Sequence, residues 1–171
     1  GPHLIDQVVQ LFGMPQRVSA DICILRDGGE SDDAFEVTLH YAAITVKVGS
    51  SPFEAGPTLR YALQGTKGSY RKYHLDPQEN QLKAGLPFDD PDWSVAPAPQ
   101  HGRLYLADES KLVATLNGGY TTFYRQLAMA LETNNAKMLP ASGQSVVAVI
   151  RLIELARLAS EQQQTLSVEC I

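Results

Sequence analysis

The strongest constraint on the fold of this chain is a succession of three segments in which apolar and polar residues alternate. The apolar positions are Val18, Ala20, Ile22 and Ile24 in the first segment, Phe35, Val37, Leu39 and Tyr41 in the second, and Ile44, Val46 and Val48 in the third. Such alternation is typical of strands with one buried face. Connections such as Asp27-Gly28-Gly29 are too short for crossover helices, so we expect antiparallel pairing.

Four more segments have strand character. Residues 58–64 and 69–74 flank the turn Gly65-Thr66-Lys67-Gly68, and residues 103–107 and 111–116 follow later in the chain. Together with the first three strands, these predict a sheet at least five strands wide.

The sheet face opposite the core is predicted to be polar without being densely charged. It carries Glu36, Thr38, His40, Thr45, Lys47 and Arg60. Two interpretations are open for this face, a subunit interface through which the protein forms a homo-oligomer and an ordinary solvated surface.

Three segments have helical character. Apolar residues keep helical spacing over residues 4–12, where Gly13 and Pro15 mark the end of the helix. A second helix is predicted after a cap at Thr121 or Thr122, and a third after Ser142, running to about residue 160. Both later helices are expected on the core face of the sheet.

Residues 76–99 hold five of the ten prolines and the only tryptophan, Trp93. Proline removes backbone donors, so an irregular excursion over the surface is expected there. Trp93 either packs against a sugar ring or anchors this loop to the body of the protein.

The predicted fold class is α+β, an open, mainly antiparallel sheet with helices packed on one face, and residues 1–171 are expected to form a single domain. A composition of 44% apolar and 19% charged residues suits a globular protein. The net charge of −5 disfavours a nucleic-acid partner. No apolar run approaches the roughly 20 residues needed to span a membrane. Two cysteines and no visible signal peptide favour the cytoplasm.

Several motifs, in order along the chain, resemble one enzyme family. They are Gly-Pro-His-Leu-Ile-Asp at residues 1–6, Leu-Phe-Gly-Met-Pro at 11–15, the strand, turn and strand at 61–70, Arg-Lys-Tyr-His-Leu-Asp-Pro-Gln-Glu at 71–79, and Gly-Tyr-Thr-Thr-Phe-Tyr at 119–124. Each motif is weak alone. Together they resemble the C-terminal, substrate-side domain of the Gfo/Idh/MocA (glucose-fructose oxidoreductase and inositol dehydrogenase) family.

This resemblance implies hydride exchange between NAD or NADP and a carbinol carbon of a sugar, polyol or related compound. His3 matches the family's catalytic histidine, and an imidazole suits uptake of the hydroxyl proton near neutral pH. Lys72, Tyr73, Asp76 and Tyr120 are the candidate substrate-binding residues, because polar side chains at a strand end can bind hydroxyl groups.

Structural roles are alternatives for each candidate. His3 could belong to a disordered terminus or a cloning remnant, since the chain opens with Gly1-Pro2 and no methionine. Lys72, Tyr73 and Asp76 fit edge-strand and turn chemistry, and Tyr120 fits an ordinary residue before a helix cap.

The resemblance also implies that a part of the family enzyme is absent from this chain. There is no Gly-x-Gly-x-x-Gly fingerprint, no Glu-Lys-Pro motif, and the aspartate that precedes the catalytic histidine in the family would lie before Gly1. We therefore expect the N-terminal Rossmann domain to be missing, with no cofactor bound by this fragment and no turnover from it. The four histidines lack the spacing of a metal site.

Two functions of other classes remain open. One is a non-enzymatic protein-interaction (dimerisation) module that uses the exposed sheet. The other is a small-molecule-binding domain whose ligand lies between sheet and helices.

Overall fold

The computed structural model describes residues 1–170. Its strands are β1 (Arg17–Cys23), β2 (Ala34–His40), β3 (Thr45–Ser50), β4 (Leu59–Gly65), β5 (Gly68–Tyr73), β6 (Gly102–Tyr105), β7 (Ser110–Val113) and β8 (Leu166–Ser167). Its helices are α1 (Pro2–Phe12), α2 (Gln78–Lys83), α3 (Tyr120–Glu132) and α4 (Gly143–Gln162), with single 3₁₀ turns at Ala98–Gln100, Ala136–Met138 and Val168–Cys170.

The chain forms two compact units, each with its own sheet. The first unit combines Gly1–Glu54 with the C-terminal segment that starts at Ala141, and the second is Ala55–Pro140. The predicted fold class, an α+β fold with open antiparallel sheets, is confirmed. The expectation of one sheet five or more strands wide is wrong, because the strands divide into two sheets of four.

The first unit contains an antiparallel sheet in the order β3-β2-β1-β8. Val18 of β1 lies opposite Leu39 of β2, which in turn lies opposite Val46 of β3. The intervening residues form the other face, where Thr38 lies opposite Lys47 and the Ser19 hydroxyl is 3.1 Å from His40 Nε2. The period-two alternation thus sorts this sheet into an apolar and a polar face.

Helices α1 and α4 cover the apolar face. The buried cluster consists of Ile5, Val8, Val18, Val37, Leu39, Val149, Leu152, Ala156 and Val168. Local residues fix the ends of these helices. Pro2 fills the first turn of α1, and Gly13 ends that helix at φ 75°. At the start of α4, the Ser142 side chain accepts a hydrogen bond from the Ser145 N–H. The Ser160 hydroxyl also accepts from the Ile22 N–H at 2.9 Å, which ties α4 to β1.

The second unit contains an antiparallel sheet in the order β4-β5-β6-β7. The predicted turn at residues 65–68 is a tight connection, since Gly65 lies opposite Gly68. Strand β5 pairs with β4 as far as Tyr73 and with β6 only at Ser69, Tyr70 and Arg71, so Lys72 and Tyr73 lie just beyond the pairing with β6. The edge-strand alternative for these two residues stays an interpretation.

The later helices and the proline-rich segment differ from expectation in three ways. Helix α3 belongs to the second unit and contributes no residue to the cluster under α1 and α4. It begins after Gly119 rather than at a threonine cap, so Thr121 and Thr122 lie inside its first turn. The segment from 76 to 99 is not wholly irregular, because it contains α2.

Arg60, predicted on the polar face with Lys47, lies on β4 of the other sheet.

Among the helices of residues 1–170, none combines the length and apolar character that crossing a bilayer requires.

Candidate functional site

His3 lies in the first turn of α1, in the first unit, with an exposed side chain. Its position follows from the sequence, because Pro2 has the fixed φ that suits the first helical residue and Gly1 accepts from the Leu4 N–H at 3.2 Å. The imidazole thus projects from the first turn of α1. The other four candidates lie in the second unit.

Lys72 is a buried ammonium group in the interior strand β5. Only 9% of the residue is exposed. Its Nζ donates to the Gln100 carbonyl oxygen at 2.8 Å and to the Thr115 hydroxyl at 3.1 Å. A buried lysine must be hydrogen-bonded to offset the loss of water, and these two bonds use two of its three donors.

The charge of Lys72 is subject to two opposing influences. Burial lowers the pKa of its ammonium group from the ordinary value, and the carboxylate of Asp76 acts in the opposite direction. The carboxylate is thus close enough to interact with the ammonium. The charges of Lys72 and Asp76 therefore act on each other, but the two side chains form no ion pair among the described residues.

Asp76 is held by Gln78, two residues further along. Its Oδ1 accepts from the Gln78 backbone N–H at 2.9 Å and from the Gln78 Nε2 at 2.8 Å. The first of these bonds is the turn chemistry that aspartate commonly provides before a helix. Within residues 1–170, Asp76 Oδ2 makes no hydrogen bond.

Gln78 also fixes the start of α3. Its Oε1 accepts from the Tyr120 backbone N–H at 3.0 Å. This N–H is among the first four of the helix, which have no partner inside it, so a side chain from α2 serves as the cap. Gln78 is only 2% exposed. The Tyr120 ring is exposed beside this connection.

Gly118 allows Asp76 and Gln78 to approach the segment before α3. A β-carbon at this position would overlap the Gln78 amide nitrogen and Asp76 Oδ2. Any side chain at position 118 would therefore displace both of them.

The structure brings three of the four candidates of the second unit together. Asp76 and Tyr120 are joined through Gln78, and Lys72 interacts electrostatically with Asp76. Tyr73 is different: it follows buried Lys72 on β5 but is exposed, so strand alternation directs it to the opposite face.

Trp93 anchors its loop. It is 8% exposed, and its ring meets that of Phe88 edge to face with 4.7 Å between centroids. A ring buried in this way is not presented to a ligand on the surface, which favours the anchoring interpretation.

Sequence reasoning missed Gln78 and Gly118. The available signal was indirect: α3 begins without a serine, threonine, aspartate or asparagine cap, which leaves its first N–H groups to be satisfied from elsewhere.

The junction between β7 and α3 has the order of a phosphate-binding loop, a strand, then Gly118-Gly119, then a helix. Acceptors already occupy it, because Gln78 takes the first N–H and the Asp76 carboxylate lies against Gly118. A negative charge at this point repels phosphate. Over residues 1–170, no group of three or more histidine, cysteine, aspartate or glutamate side chains could hold a metal ion.

Comparison with known proteins gives consistent matches along the chain. A family model described as "Oxidoreductase family, C-terminal alpha/beta domain" (GFO_IDH_MocA_C) matches residues 1–169. The scyllo-inositol 2-dehydrogenase (NADP(+)) IolW of Bacillus subtilis is 34% identical over 175 residues, which cover 99% of this chain and 48% of that protein. The uncharacterized oxidoreductase YdgJ of Escherichia coli is 34% identical over 169 residues, covering 96% and 48%.

The fold is shared with solved structures as well. The putative oxidoreductase yvaA from Bacillus subtilis superposes with a TM-score of 0.91 at 32% identity, over 99% of this chain and 49% of that one. The chain thus spans about half the length of the curated relatives it matches.

Proposed function

Because the chain belongs to the Gfo/Idh/MocA oxidoreductase family, through the C-terminal domain of that family, we propose that it forms the substrate side of an NAD(P)-dependent oxidoreductase. The substrate is a compound with a CH–OH group, such as a sugar or polyol. NAD or NADP accepts the hydride and is held by a part of the protein outside this chain. The chain alone binds no dinucleotide and has no turnover.

The observation that carries this proposal is the polar cluster of the second unit in a domain of this family. Lys72 has a third donor and Asp76 has an oxygen, Oδ2, that make no hydrogen bond within residues 1–170. A donor and an acceptor in one polar cluster match the hydrogen-bonding capacity of the hydroxyl groups of a polyol. Tyr120 adds an exposed phenol at the start of α3.

Tyr73 is also retained as a candidate contact, from the other face of β5. The Bacillus subtilis relative is a scyllo-inositol 2-dehydrogenase, which supports a cyclic polyol as the first substrate to test.

The role proposed for His3 is general-base catalysis. Its imidazole takes the hydroxyl proton as the hydride leaves the same carbon, so that the carbinol becomes a carbonyl. An exposed imidazole in the first turn of a helix is sterically free to reach a substrate hydroxyl.

The test is turnover by the full-length protein that carries this chain. Reduction of NAD⁺ or NADP⁺ is measured with a panel of inositols and sugars as substrates, starting with scyllo-inositol. We expect oxidation of at least one polyol, and a fall in kcat of about 100-fold or more in His3→Ala, since general acid–base catalysis contributes about 10² to 10⁴. Gln10→Ala is the matched control, because it truncates an exposed side chain in the last turn of the same helix.

Two results would contradict the proposal. If no member of the panel is oxidised with either cofactor, the substrate class is wrong. If His3→Ala turns over as fast as Gln10→Ala, His3 is not the base. A separate experiment, calorimetry of the 171-residue chain with NAD and NADP, tests whether the cofactor is held outside this chain. Tight binding would place the cofactor site within the chain.

Self-association through the polar face of the first-unit sheet belongs to the same proposal. That face contains the Lys47–Glu36 ion pair and the Ser19–His40 contact, groups that can pair again across an interface. Sedimentation of the full-length protein measures whether it is a monomer. A cytoplasmic location is also proposed, since the free thiol of Cys23 suits a reducing compartment.

A further inference from the structure

We infer that Gln78 is a positioning residue for substrate recognition: it fixes the Asp76 carboxylate so that Oδ2 is presented to one substrate hydroxyl. This inference rests on the proposed function and names a residue that does not itself touch the substrate.

The first step is the way in which Asp76 is held. Both hydrogen bonds from Gln78 reach the same oxygen, Oδ1, at 2.9 and 2.8 Å. Two bonds to one oxygen stop the carboxylate from rotating. The direction of Oδ2 is therefore fixed before a ligand arrives, which lowers the entropy that binding would otherwise cost.

The second step concerns the chemistry required at position 78. Asp76 Oδ1 can only accept, and the Tyr120 backbone N–H can only donate. The group between them must therefore donate on one side and accept on the other. A primary amide does both, and these partners determine which end of the Gln78 amide is nitrogen.

The third step excludes glutamate at this position. A carboxylate would keep the bond from the Tyr120 N–H but would face Asp76 with an acceptor and a second negative charge. Gln78 is almost completely buried whereas Asp76 is exposed, so water screens that repulsion only from the Asp76 side. Gln78→Glu is thus a nearly isosteric change that should turn or displace the Asp76 carboxylate.

The fourth step is that the backbone at Gly118 restricts one side of the pair, while Asp76 stays exposed to solvent. Because a β-carbon at Gly118 would overlap both the Gln78 amide and Asp76 Oδ2, the segment before α3 packs directly on the pair. Gln78, Asp76 and the start of α3 thus form one rigid support rather than a flexible loop.

The chain also offers a matched control on the same helix. Gln81 of α2 uses its amide in the same double manner, since its Nε2 donates to the Asp92 carbonyl oxygen at 2.9 Å and its Oε1 accepts from the Ser94 N–H at 2.8 Å. Gln81→Glu therefore breaks an equivalent loop contact without touching Asp76.

The experiment compares Gln78→Glu, Gln81→Glu and wild type in the full-length protein, with the polyol that the wild type oxidises. We expect Gln78→Glu to raise the KM for the polyol by about 10-fold or more, the order expected from losing a hydrogen bond to a charged group. The KM for NAD(P)⁺ should stay within about 2-fold in both variants. Gln81→Glu should leave both KM values unchanged.

A double-mutant comparison distinguishes positioning from general destabilisation. In an Asp76→Ala background, Gln78→Glu should have no further effect on the polyol KM, because there is no carboxylate left to orient. Equal KM increases with and without Asp76 would overturn the inference, as would an unchanged polyol KM in Gln78→Glu. If Gln78→Glu does not fold, as judged by circular dichroism, Gln78→Met removes both polar groups at similar length and carries the same test.

The two levels of proposal fail in different ways. Absence of polyol oxidation in the wild type refutes the proposed function and the inference with it. Normal wild-type oxidation with an unaffected Gln78→Glu refutes the positioning role alone.

Discussion

Replacing Leu152 with alanine should remove a central side chain from the core of the first unit. Leu152 is 0% exposed and belongs to the same buried cluster as Val18 of β1 and Leu39 of β2, which are also 0% exposed. The change deletes three carbon atoms from a fully buried position. The lost burial and the cavity therefore both reduce stability.

The expected magnitude follows from this complete burial. Leucine-to-alanine changes in cores cost about 2 to 5 kcal/mol, with the larger values where the surroundings cannot collapse. Leu152 is packed between a sheet and a helix, so we expect a loss of about 3 to 4 kcal/mol in the free energy of unfolding. For a chain of this size, that corresponds to a fall in Tm of roughly 10 °C.

The assay is thermal and urea unfolding followed by far-ultraviolet circular dichroism. Leu158→Ala is the matched control, because Leu158 lies on the same helix with 41% of its surface exposed and should lose less than about 1.5 kcal/mol. Equal losses in the two variants would refute the assignment of α4's buried face.

Two further predictions concern single positions. The pKa of Asp33 is lowered, chiefly by the hydrogen bond from the Leu25 N–H and further by Arg26. Its contribution to stability is therefore complete above the unfolded-state pKa of about 3.9 and is lost as the pH falls through the lower folded-state value. Asp33→Asn should flatten the acid limb of a stability-versus-pH profile, and an unchanged limb would contradict this. Gly13→Ala should lower the free energy of unfolding in urea by about 1 kcal/mol, because Gly13 has a positive φ. Gly143→Ala is the control and should not destabilise the protein, because Gly143 lies at a helix start and its β-carbon would meet nothing within 4 Å. Similar losses of stability in the two variants would contradict the role of φ.

The elements of this fold could be predicted because their signals are local. Alternation at residues 18–24 and 35–41 identified β1 and β2 to within one residue, and Gly13 identified the end of α1. Strand β8 has only two residues, too few for any pattern. The division into two sheets was not visible, because alternation gives the orientation of side chains but not the partner of a strand.

The candidate site shows a similar limit. Asp76 could be singled out from its place after a strand, but Gln78 acquires its role through Tyr120, 42 residues away. The predicted caps at Thr121 and Thr122 were wrong for the same reason, since a side chain from α2 satisfies the helix start that a local threonine was expected to serve. Contacts of this kind depend on how the chain folds back on itself.

The absence of a side chain at Gly118 has an evolutionary consequence. An enzyme that acquired even a methyl group there would have to rebuild both Asp76 and Gln78, so single substitutions at these three positions should be disfavoured. Among relatives, the three positions should therefore change together or not at all. Under the substrate-binding role proposed for Asp76, a lineage in which they have changed together is where a different choice of substrate should be sought.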